Sequence, residues 1–375
     1  MKANDQTMAG CKIPLLEPAT VKVALAADQT TQQHILRSRD DIRSILSSNG
    51  SDTRLMVIVG PCSIHDVDEA IEYASLLSNA AELHRHELFI VMRVYVEKPR
   101  STTAAASLSS TRASSYRAKV MLDVAQRGLP VATELLNPLL AQYFDDITSL
   151  GVIGARTTES QTHRELASSM PMPVGFKNGT DGSLKVATDA MTSASHSHTV
   201  VGFDDHGHMT YHMSAGNPDT FVILRGGSNG PNFDAEHVAS AHAELRRGGR
   251  TPAVVVDCSH GNSMKDYRNQ AAVAACLADQ IASGVPIKGV MIESNIHQGR
   301  QDVIEDAATG QRRAKYGVSI TDGCIGWQET LTIFGKLAAA VKIRQQKLGM
   351  AVVNTTLQVD CEKSRMTQQV TEIAV

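Results

Sequence analysis

The sequence has few aromatic residues, almost no net charge and no strongly basic region. Phenylalanine, tryptophan and tyrosine make up 4% of the 375 residues, and the formal net charge is −3. Nucleic-acid-binding domains usually carry a basic field, and single-strand binders also place aromatic residues among the cations. We therefore expect a protein that does not bind nucleic acid.

Long apolar runs and paired cysteines are also missing from the sequence. No apolar stretch reaches the length of a membrane span, and the first residues lack the core of a signal peptide. The cysteines are scattered through a large chain, which favours free thiols in a reducing compartment over a disulfide framework. They are Cys11, Cys62, Cys258, Cys276, Cys324 and Cys361. These features predict a soluble cytoplasmic protein that is not bound to a membrane.

Eight apolar segments alternate with segments of helical periodicity, and each apolar segment is short enough for a buried strand. This alternation predicts an α/β fold, a closed (β/α)8 TIM barrel. The predicted strands are Leu55–Val59, Leu88–Arg93, Pro130–Glu134, Val152–Arg156, Val174–Lys177, Phe221–Arg225, Ala253–Asp257 and Gly289–Glu293.

Three segments extend this barrel. Residues 1–50 are predicted to form an N-terminal arm and a helix, and residues 51–345 the catalytic barrel, whose last long helix is predicted to begin near Asp322. An Asp-His-Gly turn between two extended runs predicts a β-hairpin inserted at about 199–213. Residues 346–375 are polar without a period and are predicted to be a loosely held tail.

A polar residue lies at or just past the carboxyl end of each predicted strand. A single charge there is most simply a core ion pair, because burying it unpaired is costly. Eight such residues at one rim are better explained by a functional site, which lies at this end in TIM-barrel enzymes. They are Cys62, Arg93, Glu134, Arg156, Lys177, Arg225, His260 and Glu293, with Asp322 in the loop after the last strand.

These residues fall into two chemical groups. A thiol, an imidazole and two carboxylates suit one divalent ion of manganese, iron, cobalt or zinc, so Cys62, His260, Glu293 and Asp322 are candidate metal ligands. Four cations converge only if an anion lies among them, so Arg93, Arg156, Lys177 and Arg225 predict a small phosphorylated acid. Lys98 and Arg100 add charge for a second phosphate.

Several long motifs resemble the type I 3-deoxy-D-arabino-heptulosonate 7-phosphate (DAHP) synthases. The resemblance extends from about Ile35 to about Arg344. It is carried by Gly60–Asp66 (GPCSIHD), Met92–Tyr95 (MRVY), Glu97–Arg100 (EKPR), Ile153–Gln161 (IGARTTESQ), Pro173–Gly182 (PVGFKNGTDG), Ile223–Gly227 (ILRGG), Asp257–His260 (DCSH), Gly289–Ser294 (GVMIES) and Tyr316–Trp327 (YGVSITDGCIGW). Enzymes of this family condense phosphoenolpyruvate with erythrose 4-phosphate, the first step towards the aromatic amino acids.

The resemblance implies a role for each rim residue. Cys62, His260, Glu293 and Asp322 would bind the metal, with His260 also counted among the catalytic residues. Phosphoenolpyruvate would be held by Arg93, Ala155, Arg156, Lys177 and Arg225. The aldose phosphate would be held by Lys98, Pro99, Arg100 and Ser101. Lys98 would also donate a proton to the new alkoxide, and Glu134 would orient a water molecule.

One segment departs from the family pattern. After Lys98-Pro99-Arg100 the family continues with a loop of the type Thr-Thr-Val-Gly-Trp-Lys-Gly, whereas this chain has a Ser/Thr/Ala-rich segment at 101–115. Two alternatives to the DAHP synthase therefore stay open. One is a phosphoenolpyruvate-dependent synthase that uses another aldose phosphate or aldehyde in specialised metabolism. The other is a non-catalytic regulatory or scaffolding paralogue.

The resemblance also concerns assembly and regulation. It implies a homodimer or homotetramer. In the family the N-terminal arm and the inserted hairpin form the site of feedback inhibition, so an aromatic amino acid is a candidate effector. Leu136–Pro138 and Met170–Pro173 differ from the versions that are common in regulated members, so the identity of the effector stays open.

Overall fold

The structure is a computed structural model that describes residues 15–47, 52–96, 113–305 and 312–349. Eight parallel strands close into a barrel in the order β1-β10-β9-β8-β5-β4-β3-β2. These strands are β1 (Leu55–Gly60), β2 (Leu88–Arg93), β3 (Val131–Glu134), β4 (Leu150–Ile153), β5 (Val174–Lys177), β8 (Thr220–Leu224), β9 (Val254–Asp257) and β10 (Gly289–Glu293). The predicted (β/α)8 barrel is therefore confirmed.

Two helices precede the first strand, the others follow strands along the chain, and together they pack around the barrel. They are α1 (Pro18–Ala24), α2 (Gln29–Leu46), α3 (Val67–Leu83), α4 (Ala113–Ala125), α5 (Gln161–Ser169), α6 (Lys185–Ala194), α7 (Ala235–Arg247) and α8 (Gln270–Ser283), with α9 over 327–349. Asp28, Asp66 and Asp234 cap the amino ends of α2, α3 and α7 by accepting a backbone N–H in the first turn. One large apolar cluster joins these helices to the outer face of the barrel.

A second apolar cluster fills the inside of the barrel at its amino end. Ile42, Ile45 and Leu46 of α2 join it, together with the inward-facing Met56 and Ile58 of β1. Helix α2 therefore closes the amino end of the barrel. The site is left to form at the carboxyl end, where the interior changes from apolar to charged side chains.

The inserted hairpin is present with the predicted bounds. Strands β6 (Thr199–Phe203) and β7 (Met209–Met213) pair antiparallel, with Val201 opposite Tyr211. The N-terminal arm touches it, because the Ala19 N–H donates to the Asp205 carbonyl oxygen at 2.9 Å. A short pair, β11 (Ile304–Glu305) and β12 (Arg312–Arg313), lies in the loop after β10. The division of the chain into arm, barrel and tail stays a prediction, and residues 1–14 and 350–375 lie outside the described residues.

Two predicted elements were displaced by more than one residue. The fourth strand runs from Leu150 to Ile153 rather than from Val152 to Arg156. Here Thr157 and Thr158 both donate to the Gly154 carbonyl oxygen, which turns the chain out of the sheet. The last helix begins at 327 rather than near Asp322. Residues 324 and 325 instead form bridges with Gly299 and Ser294, which hold the preceding loop against the rim.

Candidate active site

The carboxyl end of the barrel contains a cavity of about 640 Å³. Every predicted rim residue within the described part of the chain lines it, except Cys62, which is fully buried beside it. The lining includes Arg93, Glu134, Ala155, Arg156, Lys177, Arg225, His260, Glu293 and Asp322. The rim residues that were grouped from the sequence therefore lie around one cavity. Lys98, Pro99, Arg100 and Ser101 lie outside the described residues.

Three of the four candidate metal ligands form a compact cluster. Ligand atoms of Cys62, Glu293 and Asp322 all lie within 4.8 Å of one another. The Asp322 N–H donates to the Cys62 Sγ atom at 3.2 Å, and the Asp322 Oδ2 atom lies 3.5 Å from the same sulfur. The loop after β10 thus returns to place a carboxylate beside a thiol that follows β1.

His260 is the fourth member, and its backbone conformation is unusual. Its φ angle is +58°, in the left-handed region that non-glycine residues seldom adopt. This conformation turns the side chain towards the cluster, so that its Nε2 atom lies 3.8 Å from the Glu293 Oε1 atom. The Lys265 N–H donates to the His260 carbonyl oxygen at 2.8 Å and closes the loop.

The chemistry of this donor set fits a divalent transition metal. A thiol, an imidazole and two carboxylates combine the sulfur, nitrogen and oxygen ligands that borderline cations accept. The Ser259 hydroxyl donates to the Glu293 Oε2 atom at 2.9 Å and so orients one carboxylate. Partners of this kind hold ligand side chains in place in metal sites.

Arg93 provides a cation at the bottom of the cavity. It is fully buried, with its Nη2 atom 3.0 Å from the Glu293 Oε1 atom and its guanidinium carbon 4.0 Å above the Tyr95 ring centre. Burial alone would lower the pKa of Arg93, but the neighbouring Tyr95 and Glu293 raise it above its ordinary value. The Arg93 Nε atom is buried without a hydrogen-bond partner among the described residues. A buried donor of this kind is suited to an anion in the cavity.

Lys177 and Asp257 form a second buried ion pair, with the lysine Nζ atom 2.7 Å from the aspartate Oδ2 atom. Burial favours the neutral acid, but the charges of Lys177 and His260 hold the pKa of Asp257 well below its usual range. Lys177 lines the cavity while Asp257 lies behind it, fully buried.

The remaining cations are placed by the loops after β4 and β8. The Arg225 N–H donates to the Asn178 Oδ1 atom at 2.7 Å, which ties the loop after β8 to that after β5. Arg156 is exposed at the mouth of the cavity. Four cations therefore reach one volume from four different strands, as the sequence predicts.

Glu134 lies against the backbone of the loop after β4. A Cβ atom added at Gly154 would come within 2.3 Å of the Glu134 Oε1 atom, so the carboxylate occupies space that only glycine leaves open. This close approach places the Glu134 carboxylate next to Ala155 and Arg156 in the cavity wall.

Further lining residues were missed by the predictions from the sequence, among them Tyr95, Lys265, Tyr267 and Arg300. Tyr95 lies in the Met92–Tyr95 motif, so its position two residues past Arg93 was a usable signal. Lys265 and Arg300 lie in long loops, where no periodicity indicates which side chains turn inward. Arg300 reaches the rim because its Nε atom donates to the Thr321 carbonyl oxygen at 3.0 Å, next to Asp322.

Comparison with known proteins decides the family. Residues 30–334 match the DAHP synthetase I family. The chain belongs to this family. It is a DAHP synthase, a transferase that condenses phosphoenolpyruvate with erythrose 4-phosphate in the first step of aromatic amino acid biosynthesis.

Relatives cover nearly the whole chain of this DAHP synthase. A tyrosine-inhibited phospho-2-dehydro-3-deoxyheptonate aldolase of Schizosaccharomyces pombe is 44% identical over 349 residues, which are 89% of this chain and 92% of the relative. A phenylalanine-inhibited enzyme of Saccharomyces cerevisiae is 42% identical over 349 residues, 89% and 93% of the two chains. The solved structure of the Francisella tularensis enzyme is 38% identical, with a TM-score of 0.84, and covers 90% of this chain and 99% of its own. These relatives support neither of the two alternatives, which were a synthase that uses another aldehyde and a non-catalytic paralogue.

No helix in the described ranges is long and apolar enough to cross a membrane.

Proposed function

We propose that the cavity holds both substrates and one divalent metal ion during the DAHP synthase reaction. Arg93, Arg156, Lys177 and Arg225 bind the phosphate and carboxylate of phosphoenolpyruvate, with Ala155 beside them. Cys62, His260, Glu293 and Asp322 hold the metal ion, which is manganese, iron, cobalt or zinc. The observation that carries the proposal is the convergence of both sets, because Arg93 contacts Glu293 at 3.0 Å.

In this arrangement the protein fixes the reacting carbons and directs the protons. The cations orient phosphoenolpyruvate so that its C3 atom attacks the aldehyde carbon of erythrose 4-phosphate. A divalent ion bound at the cluster would supply Lewis acidity for the aldehyde oxygen. Glu134 orients the water molecule that adds to C2, after which phosphate leaves by C–O cleavage. Lys98 protonates the new alkoxide, and Pro99, Arg100 and Ser101 complete the aldose phosphate site.

The direct test is phosphate release from phosphoenolpyruvate with a panel of aldehydes, with and without Mn²⁺. Rapid release with erythrose 4-phosphate and Mn²⁺, and little release after chelation, supports the proposal. Turnover with another aldose phosphate alone would show that the 101–115 segment retunes the second site. Equal rates with and without metal would contradict the metal assignment.

We also propose that the outer face of the hairpin is the interface of a homodimer or homotetramer. Four large apolar side chains project from this face with more than half of their surface exposed. They are Val201 at 58%, Met209 at 74%, Tyr211 at 76% and Met213 at 78% exposure. A contiguous apolar patch of this kind on a soluble enzyme is typical of a contact surface between proteins.

Replacing Tyr211 by glutamate should shift the enzyme towards smaller species in light scattering after gel filtration. A charge in the centre of an apolar interface is buried without a partner, which costs several kcal/mol. Leu83→Glu is the control, because Leu83 on α3 is 74% exposed and lies outside the hairpin face. An unchanged mass for Tyr211→Glu would place the interface elsewhere.

A second cavity, of about 460 Å³, is our proposed site for an aromatic amino acid effector. It lies between the inner face of the hairpin, the N-terminal arm and α5, and its lining includes Lys22, Asp145, Thr162 and His212. Lys22 bridges Asp145 at 3.1 Å and Asp205 at 3.3 Å, so charged groups are available for an amino acid backbone. The names of the two yeast relatives record inhibition by tyrosine and by phenylalanine.

We expect one aromatic amino acid to inhibit the enzyme, and His212→Ala to raise the inhibitory concentration about tenfold, equivalent to ~1.4 kcal/mol of lost contact. His208→Ala is the matched control, because His208 lies on the same hairpin but does not line the cavity. Equal inhibition of both variants would exclude this cavity as the effector site.

A cytoplasmic location stays a proposal. It is supported by four free cysteines in the described part of the chain, Cys62, Cys258, Cys276 and Cys324.

A further inference from the structure

Asp257 lies between the two proposed ligand sets and belongs to neither. It is the last residue of β9 and has no exposed surface. Its Oδ2 atom lies 2.7 Å from the Lys177 Nζ atom and 2.9 Å from the His260 Nδ1 atom. One carboxylate oxygen therefore contacts both Lys177, a cation of the proposed phosphoenolpyruvate site, and His260, a proposed metal ligand.

The His260 Nδ1 atom is buried without an aligned hydrogen bond to the described residues, and the Asp257 Oδ2 atom lies close to it. A carboxylate oxygen 2.9 Å from Nδ1 attracts a proton on that atom and repels a lone pair there. The lone pair is then left on Nε2, which faces Glu293 at 3.8 Å in the metal set. Carboxylates that hold a histidine in this way are common behind metal sites.

The contact with Lys177 acts on the other ligand set. The same Oδ2 atom holds the ammonium group at the wall of the cavity, where the side chain is 7% exposed. The other carboxylate oxygen, Oδ1, accepts the Ser259 N–H at 2.9 Å, so the carboxylate is fixed in its plane. Lys177 and His260 therefore lie against the same carboxylate oxygen, and the carboxylate cannot rotate to offer each of them its own oxygen.

We propose that Asp257 is a positioning residue that couples metal binding to phosphoenolpyruvate binding, an inference that rests on the proposed function of the cavity. When Nε2 donates its lone pair, the Nδ1–H group becomes more positive and attracts the nearby Oδ2 atom more strongly. The hold of Oδ2 on Lys177 then weakens, and the ammonium group is freer to bind the anion. The coupling is reciprocal, because each ligand must favour the other by the same factor.

The test is Asp257→Asn, which keeps the shape of the side chain and removes its charge. Co²⁺ is titrated into metal-free enzyme with and without phosphoenolpyruvate, and binding is followed by the visible spectrum and by calorimetry. We expect Co²⁺ affinity to fall about 10–100-fold. The factor by which phosphoenolpyruvate tightens Co²⁺ binding should be about 5–150-fold in the parent and no more than about a third of the parent value in the variant.

Asp189→Asn is the matched control, because Asp189 also pairs with a lysine, Lys185, at 2.8 Å but on the surface. It should leave both quantities unchanged. If Asp257→Asn retains either the parent Co²⁺ affinity or the parent coupling factor, the inference is wrong. Cys62→Ser separates this failure from failure of the metal site: if Cys62→Ser also binds Co²⁺ as the parent does, then the proposed metal site itself is wrong.

A measurement on the unaltered chain covers the case in which Asp257→Asn does not fold. Nitrogen NMR of histidine-labelled, metal-free enzyme at neutral pH, assigned with His260→Gln, reports the tautomer of His260. The inference requires the proton on Nδ1. A neutral imidazole with its proton on Nε2 would overturn it.

Discussion

Replacing Cys62 by serine is expected to lower kcat by about 100-fold or more at a Mn²⁺ concentration that saturates the parent enzyme. The thiol lies within 4.8 Å of the carboxylate ligand atoms of Glu293 and Asp322, so its loss removes the softest donor of the set. His260→Ala should have a comparable effect. Metal content and phosphate release, measured on the same preparation, check this prediction. The remaining metal affinity should shift towards harder ions, because oxygen replaces sulfur.

Cys276→Ser is the control for a general effect of removing a thiol. Cys276 is half-buried on α8, where it accepts a weak bond from Gln280 on the same helix, and it does not line the cavity. Its activity should match that of the parent. Full activity of metal-free Cys62→Ser enzyme would contradict the metal assignment.

The second large effect is expected at the anion site. Arg156→Gln should lower kcat/KM for phosphoenolpyruvate about 100-fold, because a charge-assisted hydrogen bond to an anion contributes about 1.5–3 kcal/mol. Arg156 is exposed at the mouth of the cavity, so the change should not disturb folding. Steady-state kinetics with phosphoenolpyruvate as the varied substrate measure the effect.

Two further variants test whether the loss is specific to the guanidinium group of Arg156. Arg156→Lys keeps the charge but loses the planar fork, so it should recover only part of the loss. Arg247→Gln removes an exposed arginine from α7 and should change nothing. If Arg156→Gln has the same kinetic constants as the parent enzyme, then phosphoenolpyruvate binds without this residue.

The sequence predicted the barrel and most of its rim because two signals coincide there. Apolar strands are short and end abruptly in a charged residue, as in β2 with Arg93, β5 with Lys177 and β10 with Glu293. In a closed parallel barrel these strand ends meet at one rim. The residues at the strand ends could therefore be assigned to one site without knowing the order of the strands. The predicted strand over 152–156 ended three residues too late, because a turn begins at Gly154.

Contacts across the barrel were not predictable in the same way. Arg93 meets Glu293 although their strands are separated by β1, and Lys177 meets Asp257 although β8 lies between their strands. Sequence spacing gives no measure of such distances, so Asp257 had no predicted role. The left-handed backbone of His260 is likewise fixed by the loop that closes at Lys265.

The most direct test of the account is a crystal of the enzyme grown with Mn²⁺ and phosphoenolpyruvate, with manganese located by anomalous scattering. One manganese peak should lie about 2.0–2.4 Å from ligand atoms of Cys62, His260, Glu293 and Asp322. The phosphoenolpyruvate anion should contact Arg93, Arg156, Lys177 and Arg225. A manganese peak outside the Cys62 cluster, or phosphoenolpyruvate bound away from these four cations, would contradict the assignment of one cavity to both ligands.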